Sequence, residues 1–269
     1  MARPLRTYIS GEYGQVHVRI ATPEHPTAPP LYCAHQSPKN GREFERFMME
    51  ASRDRIVVAP DYPGYGMSDA PPRESDATIQ LYARALWQVA DHFGHAKVDV
   101  FGNHTGGKVA TEMARQRPER IRGIVMVSAA ILTDAERALF TDYFAPIPLD
   151  TAGTRFTTMW RRIVEVRGPN QTLEHLSESF LMNLMGGEAY EWGHAAAFSY
   201  GKPFEDALRE LPHRLTIINP TDSLTEATRR AAALLRNGEV LEMPHWGYGF
   251  MDTDVKAAVA CVLGALDRS

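Results

Sequence analysis

Gly102-Asn103-His104-Thr105-Gly106-Gly107 is the run of residues best placed to carry chemistry. It follows an alternating strand pattern over 97–101 and precedes a helical pattern over 108–117. Gly102 and Gly106 fit the pattern G-x-S-x-G, a strand–turn–helix in which a serine stands exposed on a strained turn. His104 occupies the serine position. An imidazole titrates near neutrality, so we expect His104 to act as a general base or acid, with direct attack on an ester as the less favoured alternative.

A segment far along the chain offers a partner for that histidine. Asp222 follows an apolar strand pattern over 215–219 and could supply a carboxylate. Asp222 or Ser223 also fits the N-cap of a helix predicted over 225–236, and the two roles are compatible.

The elements that must position these residues are strands alternating with helices. Strand patterns lie at 5–10, 15–20, 31–34, 56–59, 97–101, 124–127 and 215–219, with helical patterns at 43–52, 78–93 and 108–117. Strands that are apolar on both faces indicate a sheet covered on both sides. The fold class predicted is therefore α/β, with a mostly parallel, doubly covered sheet.

At this point the chain resembles the α/β-hydrolase superfamily. The oxyanion-loop pattern H-G-x-P appears as His35-Gln36-Ser37-Pro38, and the D-x-P-G-x-G-x-S-D loop is complete over 61–69. The resemblance covers most of the chain outside its middle. It implies the α/β-hydrolase fold and an active site beside His104.

The resemblance also implies roles for individual residues. It places Asp222 as the catalytic acid, and it makes the backbone N–H of Thr105 an oxyanion donor together with that of Gln36 or Ser37. Gln36 replaces the glycine of the pattern and adds a side-chain amide. His35 begins the loop and is expected to be structural.

The last loop departs from the family, which carries its catalytic histidine there. Aligning the loop on Pro244 and Gly247 puts Tyr248 at the histidine position. His245 could serve as the catalytic partner only if the loop takes another path. Tyr248 is the favoured partner of His104, and His245 is the alternative.

Between strand 124–127 and strand 215–219 the strand–helix alternation stops. We expect a core made of residues 1–132 and 213–269, with 133–212 as an inserted helical cap. The insert is rich in methionine and aromatic residues, which suit both packing and an adaptable apolar pocket. A small hydrophobic or aromatic carbonyl compound is the expected substrate.

Composition and charge exclude several classes of function. The 269-residue chain has a formal net charge of −4, which gives no reason to expect binding to nucleic acid or to an anionic membrane. It has neither a signal-peptide pattern nor an apolar run of membrane-spanning length. Cys33 and Cys261 are expected to be free thiols in a reducing cytoplasm. A homodimer is left open, and no cofactor is predicted.

A metal site is the weakest of the alternatives considered. His35, His104, His245 and Asp222 would converge in this fold, but no local ligand spacing such as H-E-x-x-H supports a metal. The favoured function is an α/β-hydrolase-type enzyme with an atypical His-Asp-Tyr site and no serine nucleophile, acting as a hydrolase or as a C–C lyase or isomerase. The alternative function is a non-catalytic binding protein that retains the pocket. A third, an esterase whose elbow serine was replaced, leaves Tyr248 unexplained.

Overall fold

The computed structural model describes residues 3–268, so the extreme ends of the predicted core, residues 1, 2 and 269, lie outside it. One eight-stranded sheet runs through the molecule in the order β1-β2-β4-β3-β5-β6-β7-β8. The strands are β1 (Leu5–Gly11), β2 (Gly14–Ala21), β3 (Leu31–Ala34), β4 (Val57–Pro60), β5 (Val98–Asn103), β6 (Ile121–Val127), β7 (Leu215–Pro220) and β8 (Gly238–Met243). β2 pairs antiparallel with β1 and with β4, and the other neighbours pair in parallel.

Helices occupy the connections and cover both faces of this sheet. They are α1 (Glu45–Ala51), α2 (Ile79–His92), α3 (Thr105–Gln116), α4 (Asp134–Tyr143), α5 (Thr154–Glu165), α6 (Leu173–Leu184), α7 (Trp192–Ser199), α8 (Gly201–Glu210), α9 (Thr225–Arg229), α10 (Phe250–Thr253) and α11 (Val255–Leu266). This arrangement confirms the predicted α/β class and the mostly parallel, doubly covered sheet.

The sheet separates two apolar cores. Successive strand residues point to opposite faces, so Val58 and Val100 join one core while Val57 and Phe101 join the other. α2, α3 and α8 contribute to the first core. α1, α10 and α11 contribute to the second. β5 is buried along its whole length, which fixes the position of the turn that follows it.

Five helices, α4 to α8, fill the stretch between β6 and β7 where strand–helix alternation stops. α4 begins with a capping box, in which the Thr133 hydroxyl accepts the Glu136 N–H and the Glu136 carboxylate accepts the Thr133 N–H. α6 begins with a similar pair, Thr172 and His175. These local signals explain why the insert is helical although its sequence lacks the rhythm of the core.

Two helix boundaries differ from the sequence prediction by three residues or more. α3 begins at Thr105, three residues before the predicted start, because the buried elbow turn leads directly into the helix despite its weak helix formers. The helix predicted over 225–236 ends as α9 at Arg229, and a tighter turn continues to Ala233. Sequence propensity alone located these elements but not their ends.

Candidate active site

The candidate site lies where the parallel strands end, at the carboxyl edge of the sheet. The elbow, defined here as residues 102–107, connects β5 to α3. A Cβ added to Gly106 would overlap the carbonyl oxygen of Ala34, and one added to Gly102 would overlap that of Gly106. Glycine at both positions therefore lets the start of α3 lie against β3 and β5.

His104 stands at the apex of the elbow in an uncommon backbone conformation. Its φ is +48°, in a region that non-glycine residues rarely adopt. Its backbone N–H donates to the carbonyl of Val127 at the end of β6 (3.0 Å). The His104 side chain is 15% exposed. A strained residue held in this way at the sheet edge is typical of a functional position.

Asp222 contacts the imidazole of His104 directly. Its Oδ2 lies 3.4 Å from His104 Nε2, and only 1% of the Asp222 side chain is exposed. Oδ2 also accepts from the Ser128 hydroxyl (2.8 Å), while Oδ1 accepts from the backbone N–H of Leu224 (2.7 Å). Oδ1 of the carboxylate therefore accepts from the turn before α9, and Oδ2 contacts His104.

Two opposed effects set the charge of that carboxylate. Burial raises the pKa of Asp222, but the contact with His104 and the hydrogen bonds from Leu224 and Ser128 outweigh it. The net pKa lies below the ordinary value for an aspartate. Asp222 is therefore ionised at neutral pH, and it favours a proton on the Nε2 side of the His104 ring.

Tyr248 also lies beside His104, with ring centroids 5.5 Å apart. Its hydroxyl shares a hydrogen bond of 3.1 Å with Ser223 Oγ. Burial, and then the charge of Asp222, raise the pKa of Tyr248 above its ordinary value. The phenol therefore keeps its proton at neutral pH and can act as a hydrogen-bond donor.

His245 takes a different position. It is exposed, its ring packs against Trp246 at a centroid distance of 5.4 Å, and it does not line the cavity beside His104. The structure therefore brings Tyr248, and not His245, to the candidate site.

The buried ring of His35 fixes the oxyanion loop, residues 35–38, through two hydrogen bonds. His35 Nδ1 donates to the carbonyl of Gln36 (2.9 Å), and its Nε2 accepts from the Tyr62 N–H (2.9 Å). Burial lowers the pKa of His35 to about 4, so the ring is neutral at pH 7. His35 therefore joins the 35–38 loop to the 61–69 loop and does not line the cavity.

Gln36 has both of its expected donors turned away from an oxyanion. Its backbone N–H donates to Glu43 Oε1 (2.8 Å), and its side-chain amide donates to Glu43 Oε2 (3.0 Å). Asn103 adds a further hydrogen bond to Oε2 (3.3 Å). The backbone N–H groups of Ser37 and Thr105 have no acceptor among residues 3–268, and both residues line the cavity. Ser37 and Thr105 are therefore the better placed pair of donors.

A cavity of about 450 Å³ opens in front of His104. Its walls come from the carboxyl edge of the sheet and from the inserted helices, which contribute Phe140, Phe144, Met159 and Phe198. Tyr248 and Thr105 border the same space. This is the size and apolar character of a small-molecule site.

Several residues of the site were not singled out from sequence. Ser128 follows β6 as Asp222 follows β7, so its place after a parallel strand was an available signal. Glu43 and Lys108 are buried charged residues on helical segments, a pattern that suggests partners or ligands. Residues 3–268 hold no cluster of three or more histidine, cysteine or acidic residues suited to a metal ion.

Comparison with known proteins identifies the family. The family model described as alpha/beta hydrolase fold matches residues 29–180, more than half of the chain. The chain therefore belongs to the α/β-hydrolase-fold family. No helix in the described part of the chain is both long and apolar enough to cross a membrane.

Sequence relatives match only part of the chain. It is 33% identical over 109 residues to haloalkane dehalogenase 2 of Mycobacterium tuberculosis, covering 40% of this chain and 37% of that protein. It is 35% identical over 88 residues to 2-hydroxymuconate semialdehyde hydrolase of Pseudomonas sp. (strain CF600), covering 31% of this chain and 29% of that protein. The matches therefore span about a third of these relatives' lengths.

Solved structures match over nearly the whole chain. An esterase from Exiguobacterium antarcticum has a TM-score of 0.79 at 16% identity and covers 98% of this chain and 100% of its own. The enol-lactonase from Burkholderia xenovorans LB400 has a TM-score of 0.76 at 14% identity, with 97% and 100% coverage. Likeness at these identities shows the fold alone.

Proposed function

We propose that this protein is a hydrolase of the α/β-hydrolase type that acts on a small apolar ester, lactone or related carbonyl compound through His104, without a serine nucleophile. The two sequence relatives, a haloalkane dehalogenase and a semialdehyde hydrolase, support the general class of hydrolase. Helices α4 to α8 act as a cap over the substrate. C–C cleavage or isomerisation is a variant of this chemistry. It would also need His104 to move a proton, but it would not need an attacking water.

The contact between His104 and Asp222 is the observation that carries this proposal. An ionised carboxylate 3.4 Å from Nε2 favours the tautomer that carries its proton there. Nδ1 is then the basic nitrogen, and it has no hydrogen-bond partner among the described residues. A His104 that only filled space in the elbow would not need the buried carboxylate of Asp222 beside its imidazole.

In the proposed hydrolysis, His104 acts first as a base and then as an acid. Nδ1 of His104 takes a proton from water as the water oxygen attacks the substrate carbonyl carbon. The backbone N–H groups of Ser37 and Thr105 stabilise the oxygen that becomes negative, with Tyr248 as a further donor. The protonated imidazole, stabilised by Asp222, then returns its proton to the leaving alkoxide.

Turnover of a panel of aryl esters and lactones by wild type, His104→Ala and His245→Ala tests the proposal. Loss of general acid–base catalysis lowers the rate by about 10²–10⁴-fold, so we expect that fall in His104→Ala. His245→Ala keeps wild-type turnover because His245 lies outside the cavity. Unchanged turnover in His104→Ala would refute the mechanism. Saturable binding of an ester by wild type with no product formed would instead support a binding protein.

A further inference from the structure

Lys108 is a buried cation at the wall of the cavity that the proposed mechanism does not use. It lies on α3 one turn after His104, a rise of about 5.4 Å along a helix. It lines the cavity, and the residue is 8% exposed. Its Nζ donates to the carbonyl of Ala197 (2.6 Å) and lies 5.5 Å from the centroid of the Phe204 ring.

The ammonium group lacks a compensating negative charge. No aspartate or glutamate of residues 3–268 lies within 4.0 Å of Lys108 Nζ. Arg137 adds a positive charge nearby. Burial, and then Arg137, lower the pKa of Lys108 to about 8, so the amine is mostly protonated at pH 7. A buried unpaired charge is costly, and a bound anion would offset that cost.

The cavity wall as a whole favours an anion. Lys39 and Arg162 also line it, whereas Glu191 is the one acidic lining residue within the described range 3–268. Glu191 is held by the imidazole of His194. Lys108 is the most buried of the three cations, because Lys39 and Arg162 are only partly buried. A charge interaction with Lys108 is therefore the least screened by water.

We propose that Lys108 binds a carboxylate of the substrate, so that the substrate is an apolar carbonyl compound carrying a carboxylate about one helical turn from the reacting carbonyl. That the substrate contains a reacting carbonyl rests on the proposed function. That it also carries a carboxylate rests on Lys108 and the cavity alone. One of the three N–H bonds of the ammonium group is used by Ala197, which leaves two for the carboxylate.

A pair of probes of matched shape separates charge from size. Isothermal titration calorimetry would compare 4-phenylbutanoate with the neutral 4-phenylbutanamide. We expect wild type to bind the carboxylate at least about tenfold more tightly than the amide, a difference of about 1.4 kcal/mol. Lys108→Met should bring that ratio close to one. Lys108→Gln, which keeps an N–H donor for Ala197, is the second neutral variant if Lys108→Met does not fold.

Two control variants locate the effect and separate it from catalysis. Lys39→Met removes another lysine of the same cavity and should keep the preference for the carboxylate. His104→Ala should keep it as well, so the result stands even where no ester is turned over. Failure of wild type to prefer the carboxylate would overturn the proposal. A preference that survives in the neutral Lys108 variants, or is lost in Lys39→Met alone, would also overturn it.

Discussion

Oδ2 of Asp222 lies 3.4 Å from Nε2 of His104, so the acid contacts the residue on the elbow itself. In a Ser-His-acid triad the carboxylate orients a separate histidine, which then removes the serine proton. In this chain Tyr248 occupies the side of the site where that histidine is expected, and its phenol stays protonated. In the proposed mechanism, His104 is therefore both the elbow residue and the base.

This relationship predicts that a serine alone will not restore serine-hydrolase chemistry. His104→Ser places a hydroxyl at the apex, but Asp222 and Tyr248 offer no imidazole to take its proton. We therefore expect no labelling of His104→Ser by a fluorophosphonate probe. The double variant His104→Ser/Tyr248→His supplies both groups and should be labelled.

Gel-based labelling of wild type, both single variants and the double variant measures this. Tyr248→His alone should remain unlabelled because it has no elbow serine. Labelling of His104→Ser at the same rate as the double variant would show that some other group already serves as a base.

A second prediction concerns the phenol of Tyr248. If it donates to the substrate in the transition state, Tyr248→Phe removes that donor while keeping the ring against His104. We expect kcat to fall by about 10²-fold, as for loss of one oxyanion donor, with KM changed little. Steady-state kinetics on an ester accepted by wild type measure this. Ser223→Ala, which removes only the hydrogen-bond partner of the phenol, should lower kcat much less than Tyr248→Phe does. An equal loss in both variants would indicate a positioning effect.

Much of the fold follows from the sequence because the strand patterns are strong. β3 and β4 are short apolar runs bounded by turn residues, and β5 leads into glycines that a tight elbow requires. Asp222 also follows from sequence, since a residue directly after a parallel strand lies at the edge where ligands bind. These features depend on local patterning and on the rule that parallel strands end together.

The pairing of buried side chains does not follow from the sequence. The sequence suggested Gln36 as an oxyanion donor, but Glu43, seven residues further along, accepts both of its N–H groups. That contact depends on how the loop packs against the short 3-10 helix that precedes α1, which no spacing specifies. Lys108 is similar, because its surroundings depend on the Arg137 side chain of α4 and the Ala197 carbonyl of α7, which the fold brings near it.

The buried neutral ring of His35 predicts a pH dependence of stability. Burial lowers its folded-state pKa to about 4, against about 6.5 in the unfolded chain. Between about pH 4 and pH 6.5 the unfolded chain binds a proton on His35 that the folded protein does not bind. The stability that comes from the neutral His35 ring is therefore fully present above about pH 6.5 and is lost as the pH falls towards 4. Moving from pH 7.5 to pH 5 should cost about 2 kcal/mol through His35 alone.

Urea unfolding of wild type and His35→Asn at these two pH values measures that difference. His35→Asn is expected to be less stable at pH 7.5, since two hydrogen bonds are disturbed, but to lose about 2 kcal/mol less on acidification. The control is His25→Asn, because the His25 side chain is 86% exposed and its replacement removes no buried ring. The same pH dependence in wild type and His35→Asn would mean that His35 is not held neutral.

The close approach of α3 to β3 predicts that Gly106 is required for folding stability. A Cβ at this position would overlap the carbonyl oxygen of Ala34, a backbone atom that cannot rotate away. We expect Gly106→Ala to lower the free energy of unfolding by about 1–3 kcal/mol, the usual cost of overpacking.

Gly264→Ala is the matched control, since Gly264 lies in α11 and a Cβ there meets no atom within 4 Å. Alanine in a helix interior is favoured over glycine by about 0.5–1 kcal/mol, so this variant should be more stable than wild type. Thermal or urea unfolding of both variants measures the two opposite shifts, and a stable Gly106→Ala would show that α3 can move away from β3 without loss.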